Sequence, residues 1–257
     1  MMEEQKKQWF KDGHEFPRLL AHCGNHEKFT ENGKMAFEYS LANGATGFET
    51  DFRMSADGVI MVIHDSSTAR TTDTDIIVEH STLADLKKVK LRNSDESIPT
   101  AEEIFLLFEQ RKGLYIELEM KARYGELYSP ERMDEYLEKL YALAVKHLYN
   151  STYIFTCFEV PILRRMKELH PDAIVGVISG GLTQELVDAA ISVGAFSIAP
   201  TLNGTSKELV DQAKAAGMNV NLWHAENMEL WNQAREMGAD VCTTNHPVAL
   251  LKEINGK

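Results

Sequence analysis

Residues 173–243 decide the fold, and they contain AIVGVI (173–178), AFSIA (195–199), MNVNLW (218–223) and DVCT (240–243). Each run is short, apolar and rich in β-branched residues, which predicts a strand. The runs begin about 22 residues apart, and amphipathic helical patterns separate them. One strand, one helix and two loops fill such a repeat. Repeated βα units with right-handed crossovers build a parallel sheet.

Upstream, the same kind of run occurs at Arg18–His22, Gly47–Arg53, Val59–Ile63, Leu114–Met120 and Thr152–Cys157. Only Met-Ser-Ala-Asp-Gly separates the second of these runs from the third. Five residues cannot form a parallel crossover, but they suit a hairpin turn with Gly58 at a positive φ. The third run is therefore an antiparallel arm, and eight parallel strands remain. This pattern predicts an α/β protein, a TIM-like (β/α)8 barrel with a β-hairpin and a short insertion after the second strand.

Helix-end signals lie between the predicted strands. Thr100-Ala-Glu-Glu103 is a capping box, and Pro130 follows Ser129 at a first helical position. Five glycines follow helical patterns where a left-handed C-cap belongs: Gly44, Gly113, Gly194, Gly217 and Gly238. We expect residues 1–257 to form a single barrel domain with an excursion over residues 54–98, which is polar and irregular from Ser66 onward.

Composition limits the class of partner. The formal net charge is −12 and 44% of the residues are apolar. The acidic balance argues against a nucleic-acid groove or an anionic membrane surface, and no apolar run reaches the roughly 18 residues that insert stably in a bilayer. The opening MMEEQKKQWF has no apolar stretch of the signal-peptide type, so a cytoplasmic location is the default expectation, with a removed leader left open. Cys23, Cys157 and Cys242 are too few for a disulfide framework and are expected to be reduced.

Two predicted strands carry unusual charge. Glu49 and Asp51 share one face of the second strand, and Glu117, Glu119 and Lys121 share one face of the strand at 114–120 and its end. Buried like charges repel each other unless a cation intervenes. If the two strands converge at one barrel mouth, this pattern indicates a metal or anion site. The alternatives are a solvated strand face and an ion-pair ladder.

Two histidines stand at strand ends. His22 ends the first strand, and His64 ends the hairpin arm, which returns toward the same barrel mouth. Two imidazoles near one mouth suit general acid–base chemistry at neutral pH. His224 follows the strand that ends in Trp223 and could line the mouth, whereas position gives no argument for the other histidines, such as His14 and His26.

These motifs together resemble the glycerophosphodiester phosphodiesterase family from Ala21 to Pro247. The matching segments are Ala21-His22-Cys23-Gly24, Thr30-Glu31-Asn32-Gly33, Glu49-Thr50-Asp51-Phe52, Asp57-Gly58, His64-Asp65, Arg70-Thr71-Thr72, Ile98-Pro99-Thr100, Glu119-Met120-Lys121, Trp223 and Thr243-Thr244-Asn245-His246-Pro247.

The resemblance implies a reaction and its catalytic groups. The reaction is hydrolysis of a small-molecule glycerophosphodiester to sn-glycerol 3-phosphate and an alcohol, with the substrate's own 2-hydroxyl attacking phosphorus. By resemblance, Glu49, Asp51 and Glu119 bind one divalent cation, either Mg2+ or Ca2+. His22 and His64 are then the acid–base pair.

The resemblance also implies a substrate-binding set of Lys121, Trp223 and Cys23, but this set departs from the family pattern. Cys23 replaces an arginine that in the family helps to hold the phosphate, so a guanidinium fork is missing. Asn245 replaces an aspartate. Two alternatives therefore stay open: a related phosphodiesterase for larger lipid or polymer head groups, and a catalytically impaired phosphodiester-binding protein. The oligomeric state is open as well.

Overall fold

A closed barrel forms the centre of the computed structural model, which describes residues 17–125 and 127–256. The described strands are β1 (Arg18–His22), β2 (Gly47–Met54), β3 (Ile60–Val62), β4 (Tyr115–Met120), β5 (Thr152–Cys157), β6 (Val175–Ser179), β7 (Ser197–Pro200), β8 (Asn219–Trp223) and β9 (Val241–Thr244). All of them except β3 run parallel, in the order β1-β9-β8-β7-β6-β5-β4-β2, and pairing between β1 and β2 closes the ring. The predicted (β/α)8 barrel is thus confirmed.

The regular spacing of the last four strands is also confirmed. They begin at Val175, Ser197, Asn219 and Val241, so each starts 22 residues after the one before. The observed starts lie one or two residues later than predicted, because the first residues of each run belong to the loop that enters the barrel.

Helices surround the barrel within the described part of the chain. They are α1 (Lys34–Ala42), α2 (Leu83–Leu86), α3 (Ala101–Glu109), α4 (Pro130–His147), α5 (Val160–Leu169), α6 (Gln184–Ser192), α7 (Lys207–Ala215), α8 (Met228–Met237) and α9 (Pro247–Ile254). Thr100 and Glu103 form the predicted capping box, and the Ser129 side chain caps α4 ahead of Pro130. The five glycines predicted at helix ends all have positive φ. None of these helices is both long and apolar enough to cross a bilayer.

The predicted hairpin follows β2. Strands β2 and β3 pair antiparallel, with Phe52 opposite Val62, and Gly58 in the turn has a φ of 79°. The Ile63 N–H still donates to the Asp51 carbonyl at 3.1 Å. The arm therefore returns along β2, and His64 arrives beside the C-terminal half of that strand.

The excursion after the hairpin has more internal structure than its polar sequence predicts. It contains 3-10 turns at Thr68–Arg70 and Val78–His80 in addition to α2. Beneath it lies a separate apolar cluster of Met61, Ile63, Val78, Leu86, Val89, Leu91 and Ile98. The prediction of an irregular polar segment was wrong in this respect, because these apolar residues are too scattered along the chain to show a period. That the whole chain is one domain stays a prediction.

The barrel interior is apolar at one end and polar at the other. Leu20, Tyr115, Ile154, Ile174 and Val241 form a buried interior cluster, and Tyr115 and Val241 are the first residues of their strands. Farther along β1 and β4 the interior positions are ionisable, namely His22, Glu117 and Glu119. The polar half is thus the C-terminal mouth, where barrels of this kind hold their active sites. The opening decapeptide and His14 lie outside the described residues.

Candidate active site

A cavity of 120 Å3 at the C-terminal mouth collects most of the predicted site residues. Strands β1, β2, β4 and β8 and the hairpin arm all contribute to its lining. Its ionisable and aromatic lining includes His22, Glu49, His64, Glu117, Glu119, Lys121, Trp223 and His224. Residues more than 200 positions apart in the chain thus meet in one small space.

Strand register explains why the carboxylates meet. On β2, Glu49 and Asp51 face the barrel interior because alternate residues of a strand share one side. Glu49 is the pairing partner of Glu117 on β4, and Asp51 is the partner of Glu119. All four side chains are buried. Two adjacent strands therefore supply four carboxylates in two layers.

Lys121 brings a positive charge to the upper layer. Its Nζ lies 3.3 Å from Asp51 Oδ1 and also contacts Glu119 Oε1. Burial acts to lower the pKa of Lys121, but Asp51 and Glu119 outweigh burial and raise it above the usual range. Burial similarly acts against ionisation of Asp51, yet Lys121, His64 and His22 bring the pKa of this carboxyl below its usual range. Asp51 and Lys121 are therefore an ion pair at neutral pH.

The carboxylates exceed the positive charge available to them. Glu49, Asp51 and Glu119 would carry three negative charges against the single ammonium of Lys121, which leaves two uncompensated. Glu49 Oε1 is buried and has no hydrogen-bond partner among the described residues. Asp51 Oδ1 and Glu119 Oε1 lie within ion-pair distance of Lys121 but outside hydrogen-bond geometry. A divalent ion with oxygen ligands fits this donor set in both charge and chemistry.

The other carboxyl groups respond differently to the same surroundings. Burial, reinforced by Asp51 and Glu119, raises the pKa of Glu49 well above its usual value. Burial also raises the pKa of Glu119, although Lys121 opposes it. Without a cation the centre therefore holds protons on part of its carboxylates, and a bound cation would displace them.

Asn245 orients the His22 ring. The amide nitrogen of Asn245 donates to Glu226 Oε1 at 2.7 Å, which turns the amide oxygen toward His22. His22 Nδ1 donates to that oxygen at 2.6 Å, so the proton of a neutral ring is on Nδ1. The unprotonated Nε2 then lies 3.6 Å from Glu49 Oε2. Burial lowers the pKa of His22, which favours the neutral ring that a general base requires.

Two further histidines pack against His22. The His26 ring stacks on it at 5.1 Å between centroids, and the His224 ring meets it edge-on at 4.7 Å. Burial, together with the charge of neighbouring His22, lowers the pKa of both His26 and His224 to about 4. Neutral rings therefore surround His22 at pH 7.

His64 is held by a chain of charged groups. Its Nδ1 donates to Asp65 Oδ1 at 2.6 Å, and Asp65 in turn accepts from Arg70. Arg70 makes a two-pronged contact with Glu31, with both distances at 2.6 Å. His64 thus has a carboxylate partner, whereas His22 has a neutral amide.

Cys23 points at the acidic residues. Its backbone has a φ of 47°, and its thiol is fully buried. The Sγ atom lies 3.0 Å from Asp51 Oδ2 and 3.7 Å from Glu49 Oε2. Asn32 donates a second hydrogen bond to Asp51 Oδ2 at 2.7 Å. A direct substrate contact by Cys23 stays a prediction.

Trp223 forms part of the cavity wall and is itself fixed in place. Its Nε1 donates to the Ala199 carbonyl at 2.7 Å, and its ring packs edge-on against Phe158 at 6.3 Å. A second, larger cavity of 470 Å3 adjoins the first and shares Glu119, Lys121 and Phe158 with it. The inner cavity therefore opens into a wider groove.

Sequence reasoning found part of this site and missed part of it. His22, His64, Glu49, Glu119 and Lys121 all reach the cavity as expected, while their roles stay predictions. The sequence assigns no place in the site to His26, identifies Asn245 only as a departure from the family pattern, and marks His224 as a residue that could line the mouth. A signal for His224 existed, because it follows β8 just as His22 ends β1, whereas His26 lies in a loop whose path no pattern predicts.

The fold and the site define a class of protein: (β/α)8-barrel enzymes with a buried acidic centre beside histidines at the C-terminal mouth. Residues 22–249 match the glycerophosphoryl diester phosphodiesterase family, and the chain belongs to that family. The resemblance found in the sequence motifs is thus confirmed.

Individual relatives agree with this assignment. A glycerophosphodiester phosphodiesterase of Caldanaerobacter subterraneus subsp. tengcongensis is 27% identical, over 91% of this chain and 96% of its own length. An Oleispira antarctica phosphodiesterase, solved with the product sn-glycerol-3-phosphate, superposes with a TM-score of 0.85 at 22% identity and covers 93% of this chain and 97% of its own. A Silicibacter pomeroyi protein described as a glycerophosphoryl diester phosphodiesterase gives 0.86 at 20% identity, with coverages of 97% and 98%. The two structures establish the fold.

Proposed function

We propose that this protein hydrolyses glycerophosphodiesters to sn-glycerol 3-phosphate and an alcohol, with the help of one divalent cation and two histidines. The observation that carries the proposal is that Glu49, Glu119, His22 and His64 line one mouth cavity. Asp51 pairs with Glu119 on the adjacent strand, so it lies beside them. Family membership supports it, as does the product bound to the Oleispira antarctica relative.

Glu49, Asp51 and Glu119 would hold the cation. They supply the oxygen donors, and two unbalanced negative charges remain after Lys121 is counted. When bound, the cation would neutralise phosphoryl oxygens and lower the pKa of the attacking hydroxyl. Oxygen ligands alone leave the choice between Mg2+ and Ca2+ open.

The two histidines have surroundings that suit opposite roles. His22 is buried, is held by a neutral amide and offers an unprotonated Nε2, so it is suited to accept the proton of the substrate's 2-hydroxyl. His64 is the more exposed of the two rings and donates from Nδ1 to the Asp65 carboxylate, so it lies nearer the solvent that receives the alcohol. We therefore assign the base to His22 and the acid for the leaving alcohol to His64.

Lys121 and Trp223 would contact the substrate on either side of the reacting phosphate. Lys121 offers an ammonium in the cavity, and Trp223 offers a fixed aromatic wall. Cys23 brings no positive charge where the family has an arginine. Phosphate binding therefore depends on the cation and Lys121 to a greater degree than the family pattern implies.

The adjoining groove supports a second candidate substrate class. Its 470 Å3 exceeds the 120 Å3 of the inner cavity, and its lining includes Arg53, Lys121 and Arg123. A larger head group on the alcohol side would fit there. Comparison of kcat/KM for glycerophosphocholine, glycerophosphoethanolamine and diesters with larger lipid or polymer head groups separates the two classes.

The deciding experiment measures product release from glycerophosphocholine and glycerophosphoethanolamine, with added Mg2+ or Ca2+ and with chelator. We expect turnover that needs the metal. Each of His22→Ala and His64→Ala should lower kcat about 10²–10⁴-fold. His80→Ala, which changes an exposed histidine on the excursion, is the matched control and should leave kcat unchanged.

Two outcomes would contradict the proposal. Near-normal turnover by both histidine variants at saturating metal would rule out the acid–base pair. Tight diester binding without any product would indicate the phosphodiester-binding alternative. In that case, recovery of turnover by Cys23→Arg would identify the missing guanidinium as the cause.

A further inference from the structure

Cys23 has a thiol that is fixed inside the acidic centre. The Cys23 N–H donates to the Glu49 carbonyl at 3.0 Å, and the Cys23 carbonyl accepts from the Asn32 N–H at 2.8 Å. The backbone is thus held from both sides in its left-handed conformation. The side chain consequently has little freedom to turn away from Glu49 and Asp51.

The donor atoms are spaced as ligands of one ion would be. Donor atoms of Cys23, Glu49 and Asp51 all lie within 4.8 Å of one another. In zinc sites, sulfur and oxygen ligands lie about 2.3 Å and 2.0–2.2 Å from the metal, so the two donors are about 3.1–3.6 Å apart for angles from 90° to tetrahedral. Here Sγ lies 3.0 Å from Asp51 Oδ2 and 3.7 Å from Glu49 Oε2, just beyond the two ends of that range, so a small movement of the side chains would bring all three donors to one ion.

A second observation points to a ligand at this position. Glu49 is only 4% exposed, and its Oε1 has no hydrogen-bond partner among residues 17–125 and 127–256. A buried carboxylate oxygen without a partner is costly, and a metal ion would satisfy it. The carboxylate that carries the unpartnered oxygen belongs to the same cluster of three residues as the thiol.

We propose that Cys23 is a further ligand of the divalent ion, so that this protein has a mixed sulfur–oxygen metal centre. The inference rests on the metal site of the proposed function. On binding, the S–H bond breaks, a sulfur–metal bond forms and the proton passes to the buffer. Because thiolate favours borderline and soft ions, the centre should prefer Zn2+ or Co2+ over Mg2+ and Ca2+.

Cobalt titration tests the ligand directly. The full-length protein is freed of metal by chelation and titrated with Co2+, and the near-ultraviolet sulfur-to-cobalt charge-transfer absorption is recorded. We expect this absorption in the wild type and its loss in Cys23→Ser. Cys157→Ser and Cys242→Ser replace the other two buried free cysteines and should retain it. In Cys23→Ser the preference for Zn2+ over Mg2+, measured by calorimetry, should fall about 10–100-fold.

The outcomes separate this inference from the proposed function. Bound Co2+ without charge-transfer absorption in the wild type would overturn the sulfur ligand, as would absorption that survives in Cys23→Ser. If either result is obtained and the wild type still hydrolyses glycerophosphocholine in a metal-dependent way, the proposed function holds without the sulfur ligand. If Cys23→Ser does not fold, the spectra of the wild type, Cys157→Ser and Cys242→Ser decide the question.

Discussion

Glu117 and Glu119 face the same side of β4, yet their surroundings give them different chemistry. Glu117 accepts hydrogen bonds from Asn221 at 3.0 Å and Tyr115 at 3.2 Å. Burial raises the pKa of Glu117 to about 7 in spite of these two donors. Glu119 is one layer nearer the mouth and contacts Lys121 instead. Each oxygen of Glu117 thus has a hydrogen-bond donor, whereas Glu119 Oε1 has none in hydrogen-bond geometry among the described residues, so Glu119 is the one that can meet a cation.

His224 should make the stability of the protein depend on acidity. Its pKa falls from 6.5 to about 4 because burial, and then His22 and His26, disfavour the charged ring. The unfolded chain therefore takes up a proton as the pH falls below about 6.5, while the folded chain takes it up only near pH 4. This contribution to the free energy of unfolding is fully present above pH 6.5 and is lost as the pH falls toward 4.

The variant His224→Gln isolates that contribution. We expect the wild type to lose about 1–2 kcal/mol more than the variant between pH 8 and pH 4.5, a value reduced because the ring is partly exposed. Urea unfolding of both metal-free proteins at the two pH values measures the difference. At pH 8 the His224 ring is neutral in both the folded and the unfolded protein. The difference in free energy of unfolding between wild type and variant at that pH therefore measures only the packing that the substitution removes. A difference that does not change between the two pH values would contradict the prediction.

At the scale of residues, the sequence predicts whatever depends on strand alternation. Glu49 and Asp51 could be placed on one face because β2 is regular, and Glu119 follows by the same logic on β4. The direction of the Cys23 thiol and the partner of His22 could not be predicted. Both depend on loop backbone, namely the left-handed Cys23 and the turn that carries Asn245, and no periodic pattern encodes such a path.

Among the elements, the join between β1 and α1 has little spare room. Gly24 follows Cys23 with a φ of 88°. A Cβ at Gly24 would lie 2.9 Å from the Phe37 backbone nitrogen and 3.0 Å from the Ala36 carbonyl carbon, both in α1. Helix backbone cannot move aside as a flexible side chain can. Glycine at this position therefore sets the distance between α1 and the end of β1.

Gly24→Ala should consequently lower the free energy of unfolding by more than the left-handed backbone conformation alone explains. The left-handed conformation costs an alanine about 1–2 kcal/mol, and the steric contact should add about 1–3 kcal/mol. Gly44→Ala is the matched control, because Gly44 has a φ of 93° but a Cβ at this position would meet no atom within 4 Å among the described residues. Denaturant unfolding of both variants gives the two costs. An equal loss of stability in the two variants would mean that α1 moves to make room for the added methyl group. The close approach at Gly24 would then not constrain the fold.

Element order was predictable because each strand of the last third recurs at a fixed spacing with its own helix. The hairpin was predictable from a linker too short for a crossover. The apolar cluster beneath the excursion could not be predicted, because polar residues and turns separate Val78, Leu86 and Ile98 along the chain. They come together only when the hairpin arm supplies Met61 and Ile63 as a surface to pack on.

For the molecule as a whole, charge is the dominant constraint. The chain carries a formal net charge of −12, and part of that excess lies inside the barrel rather than on its surface. Buried like charges oppose folding until a cation or protons compensate them. Under the proposed function, the acidic residues therefore lower the stability of the metal-free protein and would raise its affinity for a cation.

Glu49→Gln should therefore act in opposite directions on the two forms of the protein. In the metal-free form it replaces a buried carboxyl, whose pKa burial, Asp51 and Glu119 raise well above the usual value, with a neutral amide. The cost of keeping that carboxyl charged or protonated disappears, so the melting temperature should stay level or rise by a few degrees. In the wild type, a divalent ion at about 100 times its Kd should add about 2.7 kcal/mol, or about 5–10 °C for a chain of this size. In Glu49→Gln most of that metal-dependent rise should disappear.

Thermal melts with chelator and with saturating metal measure both effects in one experiment. Glu185→Gln, which removes an exposed carboxylate in the first turn of α6, controls for the change in net charge and should keep the full metal-dependent rise. If Glu49 belonged to an ion-pair ladder instead, its loss would destabilise the metal-free protein and leave any metal effect intact. A metal site and an ion-pair ladder thus predict opposite effects of Glu49→Gln on the melting temperature of the metal-free protein. They also differ in whether the metal-dependent rise is lost.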